Sequence, residues 1–135
     1  MPVKDRYHDA VKHAFIKDGW TINDEQFSLT VDQRNLWIDL QVSKAEPSIV
    51  ILVEVKELAE VDSAIEALAN ALGKIDLYRL ALANASLSLP LYLAVSKESY
   101  AGILSEKIGQ LAIESAQIPL IVFDPEQEEI LKWIP

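Results

Sequence analysis

The sequence has no cysteine, only four glycines, and twelve Lys and Arg residues against twenty-one Asp and Glu, which leaves a formal net charge of −9. Each shortage excludes something. Without cysteine there is no disulfide framework and no thiolate zinc site, which removes the small secreted scaffold, the zinc finger and the redox enzyme. Any metal must sit on oxygen or histidine. Gly19, Gly73, Gly102 and Gly109 are scattered, so neither the dinucleotide nor the P-loop form of a phosphate-cradling loop is present, and no Gly-x-Ser-x-Gly elbow occurs. The sequence shows no repeat, low-complexity tract or linker. The uncharged stretch from Leu80 to Ser96 is broken by Asn84, Ser86, Ser88 and Pro90, so it reads as helix end, loop and strand rather than a membrane span. The opening Met1-Pro2-Val3-Lys4-Asp5-Arg6 is charged and unlike a secretory signal, and a cytoplasmic protein is expected. Scarce basic charge means that nucleic acid would meet a surface that on balance repels it. The acidic excess is heavier after residue 56, so a polyanion would approach the N-terminal half.

What remains is 135 residues, half of them hydrophobic, enough for one domain over 1–135 with a real core. Tyr7, Val11, Ala14 and Phe15 recur at helical spacing between Asp5 and Lys17, with Gly19 as a stop. Three strand-like runs follow as a meander: Phe27 to Val31, Leu36 to Gln41, and Ser48 to Lys56. The third, with Ile49-Val50-Ile51-Leu52-Val53 apolar on both faces, suits the middle of a sheet covered on both sides. Ser63 and Glu66 form a capping-box pattern ahead of a long helix reaching about Leu82. Leu91 to Val95 reads as a strand, Lys97 to Ser115 as a third helix, and Pro119 to Phe123 and Glu129 to Ile134 as closing strands joined by an Asp124-Pro125-Glu126-Gln127 turn. The order αβββαβαββ predicts an α/β fold, a three-layer α/β/α sandwich on a mixed central sheet.

The candidate for chemistry is Asp39, followed after fourteen residues by Glu54-Val55-Lys56. Alternation along a strand puts Glu54 and Lys56 on one face, at the end of an otherwise apolar central strand where charge is costly to bury. If the second and third strands are antiparallel neighbours, Asp39 comes to lie near Glu54. Two carboxylates and an ammonium so placed suit metal-assisted phosphodiester hydrolysis, with Asp39, Glu54 and the Val55 carbonyl around a hard divalent cation, and Lys56 orienting water or steadying charge. A strand-end salt bridge between Glu54 and Lys56, with Asp39 solvated, is the plainer alternative. Lys74 and Tyr78, i and i+4 on the second helix, are candidates near the trio, with a lysine lying over a packed tyrosine as the structural alternative. His8 is a further nearby candidate. His8 and His13 are five apart, do not share a helix face as paired ligands would, and read as solvated or boundary residues.

Blocks along the whole chain resemble the XisH family, known as fdxN element excision controlling factors and found mainly in cyanobacteria. They are Lys4-Asp5-Arg6-Tyr7-His8-Asp9-Ala10-Val11-Lys12, Ile16-Lys17-Asp18-Gly19-Trp20-Thr21-Ile22, Val53-Glu54-Val55-Lys56, Leu72-Gly73 with Leu77-Tyr78-Arg79, Leu91-Tyr92-Leu93-Ala94-Val95, and Leu120-Ile121-Val122-Phe123-Asp124-Pro125 ending at Lys132-Trp133-Ile134. The resemblance implies a restriction-endonuclease-like fold related to the PD-(D/E)xK nucleases, in which Asp39, Glu54 and Lys56 match the motif. It implies a role in DNA element excision, a form of DNA recombination, accessory to a site-specific recombinase and paired with a XisI-like protein. An active, resolvase-like metal-dependent endonuclease is the alternative, with Mg²⁺ or Mn²⁺ on Asp39 and Glu54. Homodimers are frequent on this frame, and one is expected. The chain departs from the family pattern in three places. Lys74 stands where relatives usually carry Gln, the Asp39–Glu54 link is shorter than usual, and Gln41-Val42-Ser43 replaces the common Gly-Ala-Glu. Lys4, Arg6, Lys12 and Lys17 are the only basic cluster near in sequence, and Lys4, Arg6 and Lys17 do not form one stripe at helical spacing, so weak or assisted DNA contact is expected.

Overall fold

The computed structural model describes residues 6–135, so Lys4 and the expected helix start at Asp5 lie outside the described residues. Helix α1 (His8–Lys17) ends where Gly19 takes φ +87°, a backbone conformation that favours glycine. Strands β1 (Thr21–Val31), β2 (Arg34–Lys44) and β3 (Ile49–Val55) form the expected antiparallel meander. Helix α2 (Ala64–Asn84) starts at Ser63, whose hydroxyl accepts the Glu66 N–H at 3.2 Å. β4 (Leu91–Ser96) and β5 (Leu120–Asp124) continue the sheet in parallel, and β6 (Glu129–Ile134) returns antiparallel. The strands lie in sequence order across the sheet.

Both crossovers fall on one face. Leu68, Ala71, Ile75 and Leu82 of α2, with Ile103 and Leu104, pack on Leu52, Leu93, Val95, Leu120 and Val122. On the other face, Val11 and Phe15 of α1 pack on Ile51, Val53, Ala94, Ile121 and Phe123. β3 therefore lies between two cores, as its doubly apolar run predicts. A mixed sheet with helices on both faces is the architecture expected from the sequence, and a restriction-endonuclease-like assignment is compatible with it. No helix among the described residues is long and apolar enough to cross a membrane.

Two expectations need correction. The third helix is not continuous: α3 (Lys97–Ala101) breaks at Gly102, a 3₁₀ turn follows at Ile103–Ser105, and α4 runs over Lys107–Ala116. The break lets α4 come close to the 3₁₀ turn. A Cβ on Gly109 would stand 2.1 Å from the Ile103 carbonyl oxygen, so only glycine fits that approach. The first strand also begins earlier than its apolar residues suggest. Thr21, Ile22, Asp24 and Glu25 pair with β2 around a register shift between Ile22 and Asp24, although all but Ile22 are polar, because β1 is an edge strand.

The β1–β2 hairpin changes faces midway. Leu40 and Val42 belong to the α1-side core, whereas Leu36 and Ile38 belong to the α2 side; their partners follow, with Glu25 reaching α1 and Phe27 packing toward α2. Gln26, at φ +62°, sits at the changeover opposite Asp39. A left-handed residue there re-aims the strand.

Candidate functional site

β2 leaves β3 at one point, and the two acids occupy it. Register pairs Leu40 with Val53, so Asp39 and Glu54 stand next across the ladder, where regular pairing stops. Side chains then replace the ladder. The Val55 N–H donates to Asp39 Oδ2 at 2.8 Å, and the Asp39 N–H donates to Glu54 Oε1 at 3.3 Å. Glu54 is in phase with Leu52 and faces α2, where the Tyr78 hydroxyl donates to Oε2 at 3.4 Å and Lys74 Nζ lies 3.9 Å from the same oxygen. Asp39 Oδ1 is 3.7 Å from His8 Nδ1 of α1. The site thus sits at the edge of both cores, with one acid addressed from each helical layer.

Burial and the neighbouring Asp39 charge push the Glu54 carboxyl up to about 8, and the Lys74 ammonium pulls it back only in part. Burial, then the Glu54 and Asp39 charges, raise the Tyr78 phenol, so it stays a donor. Two carboxyls crowded together and short of positive charge are the donor set that a hard divalent cation fits. Asp39 and Glu54 are the residues that would hold it, each through the oxygen not bound to backbone. A bound divalent ion would supply Lewis acidity and lower the pKa of a coordinated water.

The structure brings Asp39, Glu54, Lys74, Tyr78 and His8 together. Lys56 follows on the Glu54 face, but its ammonium bonds Asn70 Oδ1 of α2 at 3.0 Å, and Lys74 rather than Lys56 pairs with Glu54. The alternative of a strand-end Glu54–Lys56 bridge with Asp39 solvated therefore fails on both counts: Glu54 bridges to α2, and Asp39 is buried. Lys74 does not simply lie over Tyr78; both address the same carboxyl oxygen. Solvated or boundary histidine also fails for His8, which is 1% exposed and 3.2 Å from Glu25 Oε1. Its phase with Val11 and Phe15 was the available signal. His13 is exposed and pairs with Glu128 at 2.8 Å.

Sequence reasoning missed Glu25. It joins His8 and Asp9 in a group with possible ligand atoms within 4.8 Å of one another, but Lys12 holds its other oxygen at 2.9 Å. The Lys12 hydrogen bond, then the one from His8, keeps the Glu25 carboxyl below its usual range. That ammonium already supplies the charge a cation would bring.

A family model described as XisH protein matches residues 1–131. The chain belongs to the XisH family. Two solved structures are similar to it. An XisH family protein from Nostoc punctiforme is 34% identical, with 97% of this chain and 100% of that chain covered at a TM-score of 0.87. A fdxN element excision controlling factor protein from Anabaena variabilis is also 34% identical, with 96% and 98% covered and the same TM-score of 0.87. No curated protein matches the chain. The shared XisH fold accounts for the blocks spread along the whole sequence, since their described residues fall on α1, the start of β1, β3, α2, β4, β5 and β6 in turn.

Proposed function

We propose that this XisH-family chain controls excision of a chromosomal DNA element in the cytoplasm, as an accessory to a site-specific recombinase together with a XisI-like partner. End-to-end similarity to a fdxN element excision controlling factor carries this reading. The disposition of basic charge supports assisted rather than independent DNA contact. Arg6, just ahead of α1, pairs with Glu60 at 2.8 Å, Lys12 of α1 with Glu25 at 2.9 Å, and Lys17 bonds the Gln127 carbonyl at 2.6 Å, so these cations are already engaged. A homodimer is part of the proposal.

The test is excision of a marked element in cells with and without this chain and its partner. Excision should require the chain; unchanged excision in its absence overturns the reading.

The convergence of Asp39 and Glu54 favours a second reading on the same frame: a Mg²⁺- or Mn²⁺-dependent DNA endonuclease, with both acids as ligands and Lys56 as base or charge stabiliser. It predicts cleavage of duplex, nicked or branched DNA, abolished by Glu54→Ala. Folded protein that cleaves none of these with either metal, alone or with the partner, overturns it. A purely accessory role predicts instead that Asp39→Ala and Lys56→Ala leave excision intact.

A further inference from the structure

We infer that Lys74 is a built-in counter-ion for Glu54 that competes with a divalent cation and sets the site's metal affinity. The inference rests on the reading of Asp39 and Glu54 as a divalent site and names what regulates it. The two oxygens of Glu54 have separate duties. Oε1 faces β2 and accepts the Asp39 N–H, whereas Oε2 faces α2, where the Lys74 ammonium stands 3.9 Å away. Oε2, which takes only the long 3.4 Å hydrogen bond from the Tyr78 hydroxyl, is the oxygen left for a cation, and the ammonium is beside it.

Lys74 differs from Lys56 in what it contacts. The Lys56 ammonium is bonded to a neutral amide, while Glu54 is the only acid within 4 Å of the Lys74 ammonium among the described residues. The Lys74 side chain is 45% exposed, against 5% for Glu54. An ammonium on a flexible stem with water at hand can withdraw; a buried carboxylate cannot. Lys74 therefore offsets negative charge at the acid pair in part and reversibly. A divalent ion at Oε2 is repelled by that ammonium with about twice the force a proton meets at the same distance, because it carries twice the charge. Removing the ammonium thus favours the metal over the proton on Glu54, even though it favours both.

The experiment is Mn²⁺ binding, followed by calorimetry and by the paramagnetic resonance of free Mn²⁺, for wild type, Lys74→Gln, Lys74→Met and Lys74→Arg. Thermal melts confirm that each variant is folded. The Gln and Met variants should bind at least about tenfold more tightly than wild type, the gain expected when one adjacent like charge is removed from a partly buried site. Lys74→Arg, which keeps the charge, should stay near wild type. Asp39→Asn added to Lys74→Gln should abolish the tight binding. Equal or weaker Mn²⁺ binding by both uncharged variants, with wild type binding measurably, overturns the role of Lys74 and leaves the divalent site standing. No Mn²⁺ binding by any folded variant overturns the divalent site itself. Tight binding that survives Asp39→Asn overturns both, because the ion is then held elsewhere.

Discussion

Asp39 and Glu54 each close the gap in the other's strand: the Val55 N–H is held by the Asp39 carboxyl, and the Asp39 N–H by the Glu54 carboxyl. The acids are thus part of the sheet as well as of the candidate site, and substitutions there divide into those that keep the acceptor and those that remove it.

Asp39→Asn keeps an oxygen for the Val55 N–H, whereas Asp39→Ala leaves that buried donor unmet, at about 1–3 kcal/mol. Denaturant unfolding should show the Ala variant destabilised by that amount relative to Asn. Removing the Asp39 charge should also lower the Glu54 pKa, which carboxyl NMR titration reads directly.

Glu54 titrates near 8 in the folded chain and near its ordinary 4.5 when unfolded. Between those values the folded state holds a proton that the unfolded state has lost, so stability from this group falls as pH rises through the window. Wild type should lose stability relative to Glu54→Gln by up to about 1.4 kcal/mol per pH unit, with little change outside the window. Urea midpoints of the two proteins from pH 4 to 9 check it, roughly one point per unit.

Two helical glycines should respond oppositely to alanine. A Cβ on Gly73 meets nothing within 4 Å, so Gly73→Ala should stabilise α2 by about 0.5–1 kcal/mol. Gly109→Ala drives a methyl into the Ile103 backbone and should cost about 1–3 kcal/mol or more. Thermal melts of both variants give the signs.

Glu57, just past Lys56, is buried, and its Oε1 accepts from Leu58 N, Ala59 N and Ser99 Oγ at 2.8, 2.8 and 2.6 Å, and from Ser96 Oγ at 3.3 Å. It ties the segment after β3 to the end of β4. Glu57→Ala should destabilise by roughly 3 kcal/mol, since several buried donors lose their acceptor, although Leu58 N keeps Ser99 Oγ at 2.9 Å. Equilibrium unfolding measures it. Hydrogen exchange should open residues 57–63 first.

Legibility in the sequence followed the strength of the local physical signal. The Ser63 cap, the doubly apolar β3 and the Glu54–Lys56 phase are set by neighbours within a few residues, and alternation alone put Glu54 and Lys56 on one face, which the structure turns toward α2. β1 from Thr21 was obscured because an edge strand tolerates polar residues and Gln26 interrupts its alternation. His8 was misplaced because its partners Glu25 and Asp39 come from β1 and β2, the latter thirty-one residues away in sequence. The pairing choice of Lys74 over Lys56 depends on the angle between α2 and the sheet, which no spacing encodes. The break at Gly102 had a visible cue in the glycine, but apolar periodicity continued through it.

A sheet whose strands lie in chain order has two edges that could fray independently, since β1 and β6 share no ladder. The aromatic cluster prevents that. Trp20, directly ahead of β1, stacks at 5.6 Å on Trp133 of β6, while Phe15 of α1 packs edge-on against both. Tyr92 of β4 closes on Trp133 from the interior of the sheet at 5.4 Å. Helix α1, the approach to β1 and strand β6 are thereby joined by one set of ring contacts, and neither border strand can detach without disturbing the packing that secures the other.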